Sequence, residues 1–319
     1  MTTSGTYSFS ISGYDIVRQA MLNIQRLDAD EAPTASEAKD CLFALNMMCK
    51  QWMARYDFAP GLKVWTRKRG HVFLSGTTGA LTIGPTSTTG WTNDCEATST
   101  TAVAYTGATS ITVAAVVAAS TNWYVGVQLD SGTLFWTTAT SVAGLTVNLA
   151  AGLPSQSSSG SQVFMYQTPA QNPQTIESAI LRDDQYSDTP LRMLTVQDYD
   201  YLPNKADVTN SGDPSAIYFE RGISTSVLYL DVGSAQDVSK HVVLTYLEPV
   251  QDFANLTNTP YYPQEWYLAL CWGLSEQIAP MFRANWSQKM EALKLAAVAS
   301  ARQGDPERSS LYFQPGAED

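Results

Sequence analysis

The chain has 319 residues, a formal net charge of -11 and only 15% charged residues, against roughly 25% in ordinary globular domains. That length supports about two domains and a substantial core. The acidic balance argues against a protein that grips nucleic acid, because such affinity comes mostly from cations neutralising phosphates; an acidic wall past which DNA slides stays open.

Taken in order, the spacing predicts a first helix over Tyr14 to Leu27, with Ile16, Val17, Ala20, Met21, Ile24 and Leu27 on one face and Arg18, Gln19, Asn23 and Arg26 on the other. Thr34 and Glu37 then form an S/T-x-x-E capping box, in which hydroxyl and carboxylate each satisfy an orphan backbone N–H. The second helix follows to near Asp57 and buries Ala38, Cys41, Leu42, Leu45, Met48, Cys49, Trp52, Met53 and Tyr56. Phe43, Met47 and Ala54 fall together on its opposite face, which a monomeric helix usually keeps polar. Either the inserted sheet or a neighbouring subunit covers that face.

From Leu62 the period changes to two, and runs around Val64 to Lys68, His71 to Leu74 and Gly79 to Ile83 read as strands. Residues 86–169 are dominated by Thr, Ser, Ala and Val and read as a small inserted β-sandwich. Asp130-Ser131-Gly132 has the composition of a three-residue hairpin turn. A second β-segment runs from Thr175 to Val250.

The closing stretch, Pro263 to Gln303, repeats Trp266, Leu270, Leu274, Ile278 and Phe282 at every fourth residue. This spacing holds an apolar stripe on one helical face. Pro280 interrupts it; beyond the break Trp286, Met290, Leu293, Ala297 and Ala301 continue the stripe until Gly304. The expected fold is therefore α+β: an antiparallel helical bundle of N- and C-terminal helices, with antiparallel β-domains inserted between them. Its parts would be 14–58 and 260–304 for the bundle, 59–85 and 170–259 for the β-domain, 86–169 for the sandwich and 305–319 for an extended tail.

The residues give no enzyme away, and no catalytic, metal or cofactor site is expected. His71 and His241 would need distant partners to build a nucleophilic site. Asp183, Asp184, Asp188, Asp198 and Asp200 cluster in sequence without a calcium-loop or glycosidase pattern and read as turn carboxylates. Cys41, Cys49, Cys95 and Cys271 lack any short paired spacing for zinc or redox chemistry. The longest apolar run, Ile111 to Ala119, is too short for a bilayer, and MTTSGTYSFS is not a standard signal peptide, so no membrane partner and no export are expected. The last residues carry one apolar cluster, Leu311-Tyr312-Phe313, inside a short polar extension. It reads as an anchor for a partner or as a segment folded back on its own bundle.

Three stretches together resemble a known family. DIVRQAMLNIQRLDADEAPTASEAKDCLFALNMMCKQW looks like the opening helix pair of the head-to-tail adaptor proteins of short-tailed phages, the family that includes the packaged-DNA stabilisation protein at the portal. TPYYPQEWYLALCWGLSEQIAPMF looks like its closing helix, while ILRDDQYSDTPLRMLTVQDYDYLPNK and GDPSAIYFERG are similar to the β-rich middle of its longer members. The resemblance covers residues 14–85 and 175–303. It implies a non-enzymatic virion protein of the neck between capsid and tail, assembled in the host cytoplasm into a dodecameric ring. Such a ring docks under the portal, helps seal the channel used in DNA packaging and ejection, and offers a surface to the tail nozzle or fibres. Double-stranded DNA would pass through the lumen without specific binding. The resemblance also implies that Leu311, Tyr312 and Phe313 meet the portal, and a ring would place Phe43 and Met47 at a subunit interface. The competing reading is a glycan-binding or glycan-cleaving tail protein, which would use Trp91, Trp123, Tyr124 and Trp136.

Overall fold

The structure is a computed structural model that describes residues 8–54, 65–115, 118–205, 207, 209–235 and 237–303. The chain divides into two units, one made of both chain ends, Met1–Thr66 with Val250–Asp319, and one continuous, Arg67–Pro249.

In the first unit, helix α1 (Gly13–Asn23) starts at a reciprocal box: Asp15 N–H donates to Ser12 Oγ at 3.2 Å, and the Asp15 carboxylate accepts from Ser12 N at 2.8 Å. Its next N–H groups are taken by a loop, Gly13 N by Asn258 O at 2.9 Å and Tyr14 N by Leu256 O at 2.8 Å. Helix α2 (Ala35–Ala54) opens on the Thr34 and Glu37 box, with Thr34 N donating to Glu37 Oε2 at 3.1 Å. The expected end of this helix, Tyr56 and Asp57, lies outside the described residues, as does Val64. Asn46 on α2 clamps the incoming chain with its amide, which donates to Phe253 O at 3.0 Å and accepts from Phe253 N at 2.9 Å.

The larger unit is organised by two sheets. The first contains β1 (Arg67–Phe73), β2 (Ala80–Ile83), β3 (Trp91–Thr92), β10 (Thr175–Arg182), β11 (Asp188–Met193), β12 (Ala216–Glu220), β13 (Ser226–Leu230) and β14 (His241–Leu247). Their order is β2-β13-β12-β11-β10-β14-β1-β3. All pairs are antiparallel except β11 with β12. A short helix, α3 (Val196–Asp200), lies on the connection between those two, as a parallel pair requires a crossover.

The second sheet takes β4 (Glu96–Ser99), β5 (Ser110–Thr112), β6 (Tyr124–Gln128), β7 (Leu134–Ala143), β8 (Thr146–Leu149) and β9 (Gln162–Tyr166) in the order β4-β9-β6-β7-β8-β5. It curls on itself: just beyond its two edge strands Thr100 bridges Val113, and Ala114 N donates to Ser99 O at 2.8 Å. Val125, Val127, Val147, Leu149, Val163 and Met165 fill the inside. Gly132 adopts φ of +80° in the Asp130-Ser131-Gly132 turn between β6 and β7, a conformation glycine reaches without Cβ strain.

The chain returns to the first unit through a 3₁₀ turn (Gln264–Trp266) into α4 (Tyr267–Ile278) and then α5 (Gln288–Gln303). The 3₁₀ turn and α4 are the centre of this unit and bury Trp266, Leu270, Leu274 and Ile278, four of the five stripe residues read from the sequence, together with Ala269, Cys271, Gly273 and Ser275; the fifth, Phe282, lies beyond α4 and is partly buried. Ser275 is satisfied inside by donating to Cys271 O at 2.7 Å and accepting from Asn23 Nδ2 at 3.1 Å.

The expected architecture is overturned. The fold is mainly β, built on sheets of eight and six strands, and the five α-helices among the described residues are short. They do not form an antiparallel bundle. The physical reason lies in the closing stretch. Pro280 has no N–H to continue α4, Arg283 takes a left-handed φ of 53°, and Ala284 N bonds back to Ala279 O at 2.9 Å, so the chain turns. The interruption expected at Pro280 is a full turn of the chain, which leaves a 3₁₀ turn and two separate helices. The second stripe also shifts: Leu293 is exposed, while Lys294, Ala297, Val298 and Ala301 face inward, with Lys294 held by Glu276 at 2.8 Å and Glu291 at 2.7 Å.

Candidate functional site

The surface feature that packing leaves unexplained is on α2. Its buried stripe is Ala38, Cys41, Leu45, Met48, Cys49 and Trp52. On the other side Phe43 and Met47, one helical turn apart, are 69% and 58% exposed. Lys39, Asp40, Lys50 and Gln51, all exposed, stand at the neighbouring helical positions and give the pair a polar rim. An apolar centre ringed by polar side chains is the anatomy of a contact patch. Ala54, placed on the same face by the sequence, is exposed as well. Phe9, Leu268, Met281, Leu293 and Leu295 of the same unit also reach solvent. Leu311, Tyr312 and Phe313 lie outside the described residues.

The residues weighed for chemistry are spent on structure. Arg182 grips Asp188 with two bonds, Nε to Oδ1 at 2.7 Å and an Nη to Oδ2 at 2.8 Å, which holds that carboxyl below its usual range. Asp183 accepts from Gln185 N and Ser187 N, and so shapes the β10–β11 turn. Asp198 caps α3 through Thr195. Asp200 pairs with Lys205 at 3.5 Å. No group of three or more metal-ligating side chains meets among the described residues. Burial pushes the thiols of Cys41 and Cys49 up to about 11 and those of Cys95 and Cys271 up to about 12, so they carry little thiolate at neutral pH.

Of the four aromatic residues of the glycan reading, three are engaged in packing, and two of these, Tyr124 and Trp136, meet the same Tyr166. Trp91 is fully buried against Tyr246, Trp136 packs edge-on to Phe73, and Tyr124 stacks on Tyr166 at 4.8 Å. Trp123 alone of the four lines an open cleft of about 330 Å³, with Asp94, Glu96 and Gln167. Sequence reasoning missed two groupings. Tyr199, Tyr218 and Tyr229 stack within 5.9 Å of one another, and Lys205 lies 4.5 Å above Tyr199. The two histidines also meet, a pairing that only the strand register could reveal.

No known family model matches this chain. A search of curated proteins likewise finds no relative. No helix among the described residues is long and apolar enough to cross a membrane.

Proposed function

We propose that this chain is a structural virion protein, a ring-forming head-to-tail adaptor that docks under a phage portal, prolongs the DNA channel and presents an attachment surface to tail proteins. The observation that carries the reading is the Phe43 and Met47 pair, exposed on α2 with a polar rim. In a closed ring each subunit offers such a patch to a different surface of its neighbour. The resemblance of the opening and closing helical sequences to that family supports the same role. The net charge of -11 suits a lumen through which DNA passes, since like charge repels phosphate over about 10 Å at moderate salt. The portal contact is assigned to Leu311, Tyr312 and Phe313.

The test replaces both side chains, Phe43→Glu with Met47→Glu, and measures oligomeric state and association with portal rings. Two charges would lose water without partners at a subunit contact. The variant should therefore stay folded and monomeric while the natural chain forms rings. A variant that assembles normally, or that fails to fold, overturns the assignment of this face. Separately, deleting residues 305–319 should weaken portal binding; unchanged binding moves that contact elsewhere.

A further inference from the structure

The chain contains two histidines, and the fold brings both to the joint between its sheets. His71 of β1 and His241 of β14 lie with ring centroids 5.2 Å apart. Phe73 stands opposite His241 in register, at 5.4 Å ring to ring. Phe73 also meets two residues of the second sheet, Phe164 of β9 at 4.5 Å and Trp136 of β7 at 5.4 Å, and Phe164 lies 5.9 Å from His241. Leu134 and Val238 complete this small core. His241 is therefore part of what seals one sheet onto the other, and His71 stands beside it on the first sheet. His241 is 9% exposed, and the Nδ1 atoms of both rings are buried with no hydrogen-bond partner among the described residues.

The charges around the pair come from several elements. Arg182 of β10 faces His241 in register and is itself neutralised by Asp188 of β11. Arg182 acts on His71 as well, followed by Asp94 beyond β3 and Arg69 of β1. Asp183, Asp184 and Tyr186 of the β10–β11 turn share an open cleft of about 300 Å³ with His241. Burial dominates these contributions for both rings. It disfavours the imidazolium, and for His241 the second histidine and Arg182 add to that while Asp188 opposes it.

We propose that this joint is acid-operated: at neutral pH an uncharged His241, flanked by His71, seals the sheets together, and mild acid parts them by protonating an imidazole that the closed arrangement cannot hold charged. The sign follows from linkage. A histidine held neutral by the closed form contributes its full stabilisation above the ordinary value of about 6.5 and loses it as pH falls below that value. At pH 5 the freed His241 imidazole favours the open form by about thirty-fold.

The experiment is hydrogen exchange on the full chain at pH 7.5 and pH 5.0, corrected for intrinsic rates, read at the amides of β1 and β9. Opening of these strands should rise at least thirty-fold in acid, and in the His241→Phe variant, which suits the Phe73 and Phe164 surroundings, the rise should shrink by about that factor. An unchanged opening in the natural chain, or a full rise in the variant, overturns the proposal. If the variant does not fold, the imidazole proton signals of the natural chain decide. A His241 that titrates near 6.5 with the sheets still closed refutes the joint, and one that stays neutral below pH 5 until the sheets open supports it.

Discussion

Gly273 sits where α4 crosses α2, and replacing it with alanine sets two known effects against each other. Alanine is favoured over glycine in a helix by about 1 kcal/mol. A Cβ at this position, however, would lie 2.5 Å from Trp52 Cζ2, 2.8 Å from Met48 Sδ and 2.9 Å from Trp52 Cη2. Met48 can move its sulfur, but the Trp52 indole is buried and packed on Trp266 with ring centroids 6.2 Å apart. Overpacking of a filled core costs about 1–3 kcal/mol. With two ring atoms inside contact distance the upper half of that range applies, so Gly273→Ala should destabilise the helical unit by about 1–2 kcal/mol net. Urea unfolding followed at 222 nm gives the difference, and Trp52→Leu supplies the background that identifies the cause. Once that substitution has removed the indole the clash is gone, and the alanine should become neutral or stabilising by up to about 1 kcal/mol. A neutral Gly273→Ala in the natural background, or the same loss in both, would refute the argument from close approach.

Ser12→Ala and Thr34→Ala each remove a cap, and each should cost about 1 kcal/mol in the same unfolding assay. The boxes also give a pH dependence. Ser12 and Thr34 hold the carboxyls of Asp15 and Glu37 below their ordinary range, so the stabilisation is complete above that range and is lost as pH falls through it. Helical signal should therefore decline below about pH 4, and replacing both carboxylates by amides should flatten that decline. For the four cysteines, a thiol reagent at pH 8 should label none in the folded chain and all four in denaturant. Rapid labelling of Cys95, the one that is not fully buried, would contradict the thiol suppression inferred from its surroundings.

Helices were legible where local chemistry defines them. The Thr34 and Glu37 box and the four-residue repeat from Trp266 to Ile278 depend on neighbours in sequence, and both stand in the structure. The architecture was not legible, because strand order is a long-range property. Nothing in the residues near Arg67 announces that they will pair with Leu247, or that β11 and β12 will run parallel. Weighting the strongly periodic helices made them look like the host, when the weakly patterned Thr- and Ser-rich middle supplies much of the larger unit. The partial burial of Lys294 beside an exposed Leu293 shows the same limit, since it depends on a distant partner, Glu276, that local spacing does not reveal. Of the exposed apolar face of α2, Phe43 and Met47 could be read from helical spacing. The histidine pair could not, because it exists only through the register of β1 with β14.

That register has a consequence for how the protein is made. The continuous unit enters at Arg67 and leaves just after Leu247, and these two residues are strand partners. Before β14 pairs, the two halves of the helical unit are the ends of a long flexible loop, and bringing them together costs about 4–5 kcal/mol plus a constant for a segment of this length. Once β1 and β14 zip, the loop behaves as a short hairpin, and α4 can settle on α1 and α2 almost as if the intervening chain were absent. During synthesis the opening helices must therefore wait, with Trp52, Met48 and Ile16 uncovered, until α4, which follows the last strand, has left the ribosome. A shortened chain that joins residue 66 to residue 250 through a two- or three-residue turn would remove the wait and let the helical unit fold as it emerges.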